Sequence, residues 1–164
     1  MRGLVVGRFQ PLHGGHVQLI RLALNECSSV VVAVGSSTEP QSLRNPFTFE
    51  ERRAMLQAAF PGISVVGVPD VNNDATWAAH CLTLTGPVGR AYGNDEHSLG
   101  LLEKAGVRSV RPGLVRRGDW EGTRIRELMR SGDAAWMRRV PPAVAVLLES
   151  WNAAQRLRGL TATA

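Results

Sequence analysis

Short β-branched runs alternate with amphipathic stretches, the clearest runs are continuously apolar, and only helical patterns follow residue 120. These features predict an α/β fold: a doubly wound, Rossmann-like parallel sheet of five strands with C-terminal helices. The first strand is read over residues 3–7, ended by Gly7, and a helix follows on the spacing of Val17, Leu19, Ile20, Leu22, Ala23 and Leu24. Residues 30–34 (Val-Val-Val-Ala-Val) form the second strand. Thr48 and Glu51 make a capping box, and the helix over 52–60 stops at Pro61-Gly62. A strand over 63–68, a short helix over 75–82, a weak strand over 90–92, a helix over 98–104 and a strand over 107–110 complete the alternation. Helices are then predicted over 123–130, 134–138 and 143 to about 158, the last entered through Pro141-Pro142, before a frayed tail at 161–164.

With 164 residues, 44% hydrophobic and 20% charged, the chain fits a single domain, with an α/β core over 1–119 and a helical part over 120–160. A chain of this size buries roughly 70% of its unfolded surface and needs no covalent staple. No apolar run approaches the ~20 residues of a membrane helix, and no charged-then-apolar leader precedes the first strand, so no membrane association is expected. Cys27 and Cys81 lie far apart and form no C-x-x-C pair, which suits reduced thiols in the cytoplasm.

The formal net charge is +5, and eighteen of the nineteen basic residues are arginine, Lys104 being the exception. Arginine favours bidentate phosphate recognition, although a genome-wide arginine bias would give the same count. Aromatic content is 5%, and no stretch interleaves aromatic with basic residues, so nucleic acid is not expected as a partner.

The densest chemistry lies between the first strand and the first helix, in Gly7-Arg-Phe-Gln-Pro-Leu-His-Gly-Gly-His16. His13 and His16 flank Gly14-Gly15 where a helix N-terminus offers free N–H groups and a positive dipole end. Two imidazoles there can donate hydrogen bonds to phosphate oxygens. They could instead simply cap the helix. The segment has neither the P-loop nor the G-x-G-x-x-G pattern, and no local Cys or acidic residue completes a metal site. Trp77 follows a polar stretch and can stack on a flat base, or can be an ordinary packing tryptophan. Trp120, Trp136 and Trp151 read as core or interface. Arg44, between Ser42 and Pro46, is a phosphate clamp or a solvated charge, and Arg8 follows directly on Gly7. Arg116-Arg117 and Arg138-Arg139 match no motif and read as surface. His80 reads as a helix-face residue and His97 as a loop residue.

The H-x-G-H pattern after strand one resembles the nucleotidyltransferase superfamily, and Trp120-Glu-Gly-Thr-Arg-Ile-Arg126 resembles its second signature, with Glu121 in place of the usual serine. The opening through His13, the block Ser42-Leu-Arg-Asn-Pro-Phe-Thr48 with Glu51-Arg52, Asp74-Ala-Thr-Trp77 with His80, and Tyr92-Gly-Asn94 are similar to archaeal-type nicotinamide-mononucleotide adenylyltransferases. Asp74 departs from the family's usual asparagine near the nicotinamide ring. The resemblance implies a transfer of the adenylyl group of ATP to nicotinamide mononucleotide, giving NAD and pyrophosphate by direct in-line attack, with Mg²⁺ carried by the phosphates. It implies catalytic roles for His13, His16 and Arg126. It places ATP and its phosphates at Gly7, Arg8, Phe9, His13, Gly15, His16, Arg44, Gly122, Thr123 and Arg126, and the nicotinamide at Val71, Asp74, Trp77 and Asn94. A homo-oligomer is expected. Another phosphorylated acceptor and a non-catalytic nucleotide-binding module are the alternatives, the first opposed by Trp77 and the Asn-Pro-Phe-Thr block, the second by the paired signatures.

Overall fold

The computed structural model describes residues 1–113 and 119–160. Strands β1 (Arg2–Gly7), β2 (Ser29–Gly35), β3 (Ser64–Val68), β4 (Arg90–Tyr92) and β5 (Arg108–Val110) form one sheet in the order β3-β2-β1-β4-β5. Every pairing is parallel, in keeping with the continuous apolar runs of β1 and β2. Connecting these strands are α1 (Gly14–Glu26), α2 (Phe49–Ala59), α3 (Asp74–Thr85) and α4 (Glu96–Lys104). Alternate residues of each strand feed opposite faces. Val5, Val32 and Val34 pack with Leu19 and Ile20 of α1 and with Met55 and Leu56 of α2. Leu4, Val31 and Ala33 pack with Ala78 and Cys81 of α3 and with Leu99 and Leu102 of α4. The chain reverses direction across the sheet at β1, so the crevice beyond the carboxyl ends of β1 and β4 is the topological place for a ligand.

Helix α5 (Gly122–Ser131) is followed by a 3₁₀ segment (Ala134–Arg139), α6 (Pro142–Ser150) and α7 (Ala153–Gly159). Ile125, Met129, Trp136, Val144, Leu148 and Leu157 join the buried cluster of α1 and α2, so these helices complete that layer. The single helix predicted from 143 to about 158 is in fact two. Asn152 sits at φ 54°, a left-handed conformation that asparagine tolerates better than most residues, and it turns the chain. The turn brings Arg156 onto Glu51 in a two-pronged contact at 2.6 and 2.8 Å, and places Trp151 beside Phe47. Arg139, expected at the solvated surface, is half-buried and pairs with Asp119 at 3.4 Å. Arg138 is exposed. Arg116 and Arg117, like the tail at 161–164, lie outside the described residues.

One buried cation holds the carboxyl edge of the sheet. Arg52 is 0% exposed, although it stands in α2 beside the charged Glu50, Glu51 and Arg53. Its guanidinium donates to four main-chain carbonyls: Thr48 at 3.3 Å, Arg8 at 3.0 Å, Gly35 at 2.7 Å and Ser36 at 3.1 Å. Burial, and then the charge of Arg8, push its pKa down to about 10, so it remains a cation in neutral solution. The ends of β1 and β2 and the start of α2 are thereby fixed to one planar group. Replacing Arg52 with Met keeps bulk but strands these carbonyls without a donor. Arg52→Met should lower unfolding stability by roughly 3 kcal/mol or more in urea titrations. A loss below about 1 kcal/mol would mean that water satisfies the carbonyls and that the clamp is dispensable.

Candidate active site

Two adjoining cavities open at that edge. The smaller, about 270 Å³, is a bay lined by Arg8, Phe9, Gln10, His13, His16, Arg44 and, at the start of α5, Gly122, Thr123 and Arg126. The larger, about 800 Å³, shares Arg8, Arg44 and Thr123 and extends past Asp74 and Trp77 to His97.

Local sequence explains the bay. The chain leaves β1 through Phe9 at φ 54°, and this turn drives the Phe9 ring back beneath Gly7, where a Cβ would come within 2.9 Å of it. His13 is the N-cap of α1: the Gly15 N–H donates to His13 Nδ1 at 3.1 Å, and the His13 N–H donates to His16 Nδ1 at 3.2 Å. The two rings stack at 3.8 Å. The capping role and the ligand role are therefore not alternatives. With each Nδ1 accepting, each neutral ring carries its proton on Nε2, the nitrogen that remains for a ligand. Burial, and then the charge of Arg126, lower the His13 pKa to about 4. Burial first, and its contact with His13 second, hold His16 well below its ordinary value. Both are neutral N–H donors at neutral pH.

The glycines serve this arrangement more than a direct approach of backbone to ligand. A Cβ on Gly14 would lie 2.2 Å from the Trp120 indole, so Gly14 makes room for that ring against α1. Gly15 lies under the His13 imidazole, 3.0 Å from where its own Cβ would be. It is buried and positions His13 without lining either cavity.

The cations converge from three segments. Arg126 donates to the Gln10 carbonyl at 2.7 Å and to Thr123 Oγ1 at 3.3 Å. Thr123 is not the helix cap. Glu121 is, and its side chain makes no cap hydrogen bond, so the side chain leaves the first N–H groups of α5 open at the bay. Arg44 is exposed on a loop pinned by Gln10, whose side-chain amide bonds to Asn45 and exchanges two 3.0 Å hydrogen bonds with the Phe47 main chain. Burial lowers the pKa of Arg8 and of Arg126, and Arg44 lowers both further by repulsion. Arg8 Nε is buried without a hydrogen-bond partner among the described residues. Its terminal nitrogen contacts Glu39 at 3.2 Å, the carboxylate partner that this crowded group has found.

The larger cavity is lined by Val71, Asp74 and Trp77, and also by Gly7, which the resemblance places with the phosphates. Trp77 is half-buried, with one part packed on the α3–α4 core and another lining the cavity. Asn94 is exposed in the turn after β4 and lines neither cavity, because Asp95, the cap of α4, takes that place. His97, expected in a loop, lies in the first turn of α4 with Nε2 3.1 Å from Asp74 Oδ1. Sequence reasoning missed Arg52, Gln10, Glu39 and the His97 contact. For Arg52 a signal existed: it shares the helix stripe of Met55 and Leu56, where a charge is out of place.

Because the folded state resists protonating His13, acid should weaken it. Between the ordinary value of 6.5 and the folded value of about 4, the unfolded chain binds the extra proton and stability falls as pH falls. His13 should account for roughly 3 kcal/mol across this window. His13→Asn keeps a capping side chain that does not titrate. Chemical denaturation at several pH values should show a steeper acid loss in the unaltered protein, and equal slopes would contradict a buried neutral His13.

A family model described as Cytidylyltransferase-like matches residues 4–84. The fold resembles that of a bifunctional NMN adenylyltransferase/ADP ribose pyrophosphatase from Francisella tularensis, crystallised with AMP and a manganese ion, at a TM-score of 0.80 and 18% identity. That match covers 97% of this chain and 51% of the longer one, so the chain spans about half of it. It also resembles Thermotoga maritima TmcAL bound with alpha-thio ATP, at a TM-score of 0.70 and 14% identity over 94% of this chain and 56% of that one. The nicotinamide-nucleotide adenylyltransferase of Picrophilus torridus is 36% identical over 98% of both chains. That of Aeropyrum pernix is 38% identical over 97% of this chain and 96% of its own. On this full-length similarity, the chain belongs to the nicotinamide-nucleotide adenylyltransferase family.

Proposed function

We propose that the cleft transfers the adenylyl group of ATP to nicotinamide mononucleotide, giving NAD and pyrophosphate. The observation that carries this reading is the convergence of Arg8, Arg44 and Arg126 in one bay, where they raise the cost of one another's charge. A polyphosphate relieves that repulsion and supplies acceptors for Arg8 Nε and both Nε2–H groups. The acceptor phosphate attacks the α-phosphorus of ATP in line: the new P–O bond forms as the bond to the β-phosphate oxygen breaks, and pyrophosphate leaves with the bonding pair. The protein's task is positioning and stabilising negative charge, for which guanidiniums and neutral imidazole N–H groups suffice. His13, His16 and Arg126 are assigned to the transferred group. Gly7, Phe9, Gly122 and Thr123 shape the walls of its pocket, and Gly15 supports it from beneath.

The divalent ion, which we take to be Mg²⁺, arrives as part of the nucleotide substrate. The bay is lined mainly by guanidiniums and imidazole N–H groups and, among the described residues, carries no carboxylate, so phosphate oxygens and water would hold the ion there. The nicotinamide ring is assigned to the larger cavity, stacked on Trp77 with Val71 and Asp74 nearby, and Asn94 at most acts from beyond the lining. The free thiols Cys27 and Cys81 fit a reducing, cytoplasmic setting. Small molecules are the proposed substrates, with neither nucleic acid nor membrane as partner. A homo-oligomer is proposed on the resemblance alone.

Pyrophosphate release from ATP should depend on nicotinamide mononucleotide and remain low with phosphopantetheine or glycerol phosphate. Stacking on a base is worth about 1–3 kcal/mol, so Trp77→Ala should raise the KM for nicotinamide mononucleotide by roughly 5- to 150-fold. The KM for ATP should stay nearly fixed. An equal loss for both substrates would assign Trp77 to the core instead, and preference for another acceptor would overturn the proposal.

A further inference from the structure

We infer that Asp74 and His97 together select the acceptor by the charge of its ring substituent, and that the selection weakens when His97 is protonated. The inference rests on the proposed adenylyl transfer and concerns the same cavity. Trp77 and His97 are the aromatic rings among the residues lining the larger cavity, and Trp77 is the broad apolar face on which a planar base can lie. Asp74 stands one helical turn before Trp77 on α3, so it shares that face of the helix and reaches the edge of a stacked ring. His97 approaches from α4, with its Nε2 3.1 Å from the Asp74 carboxylate.

Exposure argues that folding is not what this pair serves. The two side chains are 64% and 68% exposed, and a pair so open to water adds little stability. A ring seated on Trp77 would cover both and strengthen their field. With His97 neutral, the site presents a carboxylate, which accepts a hydrogen bond from a carboxamide and repels an acid. With His97 charged, the pair is neutral overall and the bias shrinks.

Two of the other acids near this edge are engaged elsewhere. Asp95 caps α4 by accepting from the Ser98 N–H, and Glu96 is engaged by Arg111, which also reaches Glu103. Asp70, Glu121, Arg8 and Arg44 also line the cavity. Arg8 and Arg44 belong to its phosphate end, which the amide and acid forms of the acceptor occupy alike.

The test compares nicotinamide mononucleotide with nicotinic acid mononucleotide, whose phosphates are identical, so the ratio of their kcat/KM values isolates the ring substituent. Histidine changes charge between about pH 5 and about pH 8, and over that range the amide-to-acid ratio should rise roughly three- to tenfold. His97→Gln should hold the ratio at the high value throughout, and Asp74→Asn should hold it low and flat. A flat ratio in the unaltered protein, or a slope that survives His97→Gln, would overturn the inference while leaving adenylyl transfer intact. Absence of pyrophosphate release with both acceptors would remove the reading on which it rests.

Discussion

A histidine that accepts a main-chain N–H at Nδ1 cannot also be an imidazolium, and this constraint organises the bay. Capping α1 through His13 and locking His16 against the His13 N–H fixes both tautomers at once. Their Nε2–H groups are left as donors whose orientation is set before any ligand arrives. Neutral donors beside three guanidiniums limit the repulsion that accumulates there, and Arg126 already opposes a charge on His13. Binding phosphate then requires little reorganisation, which is where electrostatic catalysis gains most. The surrounding residues follow from the cap: Gly15 yields space to the His13 ring, Gly14 to Trp120, and Phe9 packs 4.6 Å from His16.

The bay keeps its shape through buried polar groups rather than through apolar packing alone. Arg52 ties the ends of β1 and β2 to α2, and Gln10 ties the chain after β1 to the loop that carries Arg44. Arg126 closes the set by binding the Gln10 carbonyl from α5. Three segments far apart in sequence are thus registered to a few main-chain atoms at the carboxyl edge of the sheet. Each buried donor has several acceptors, so moving one segment would leave polar groups unpaired in the others.

Local features were legible in the sequence, and features made by the topology were not. β1 and β2 are continuous apolar runs and the cap of α2 is written in Thr48 and Glu51, so the alternation of strands and helices could be read directly, whereas the short β4 and β5, which carry Arg90, Arg108 and Ser109, were faint. The His13–His16 segment was legible because strand end, cap and helix start are contiguous. Asp74 and His97 are 23 residues apart and meet because α3 and α4 lie side by side on one face of the sheet. No periodicity reveals such a pair. The break at Asn152 was hidden because the amphipathic pattern runs through it, whereas Arg156 settles on Glu51, which lies 105 residues earlier. Arg52 resembled its exposed neighbours, and only its place on the apolar stripe of α2 distinguished it.

The claim that the protein presents neutral, oriented imidazole donors to phosphate is tested most directly by nitrogen NMR of the His13 and His16 rings, without nucleotide, at neutral pH. Both rings should show an unprotonated Nδ1 and a protonated Nε2, and His13 should keep that pattern until the pH approaches about 4. Imidazolium signals at neutral pH, or protons on Nδ1, would contradict the account and assign the bay a charge-pairing role instead.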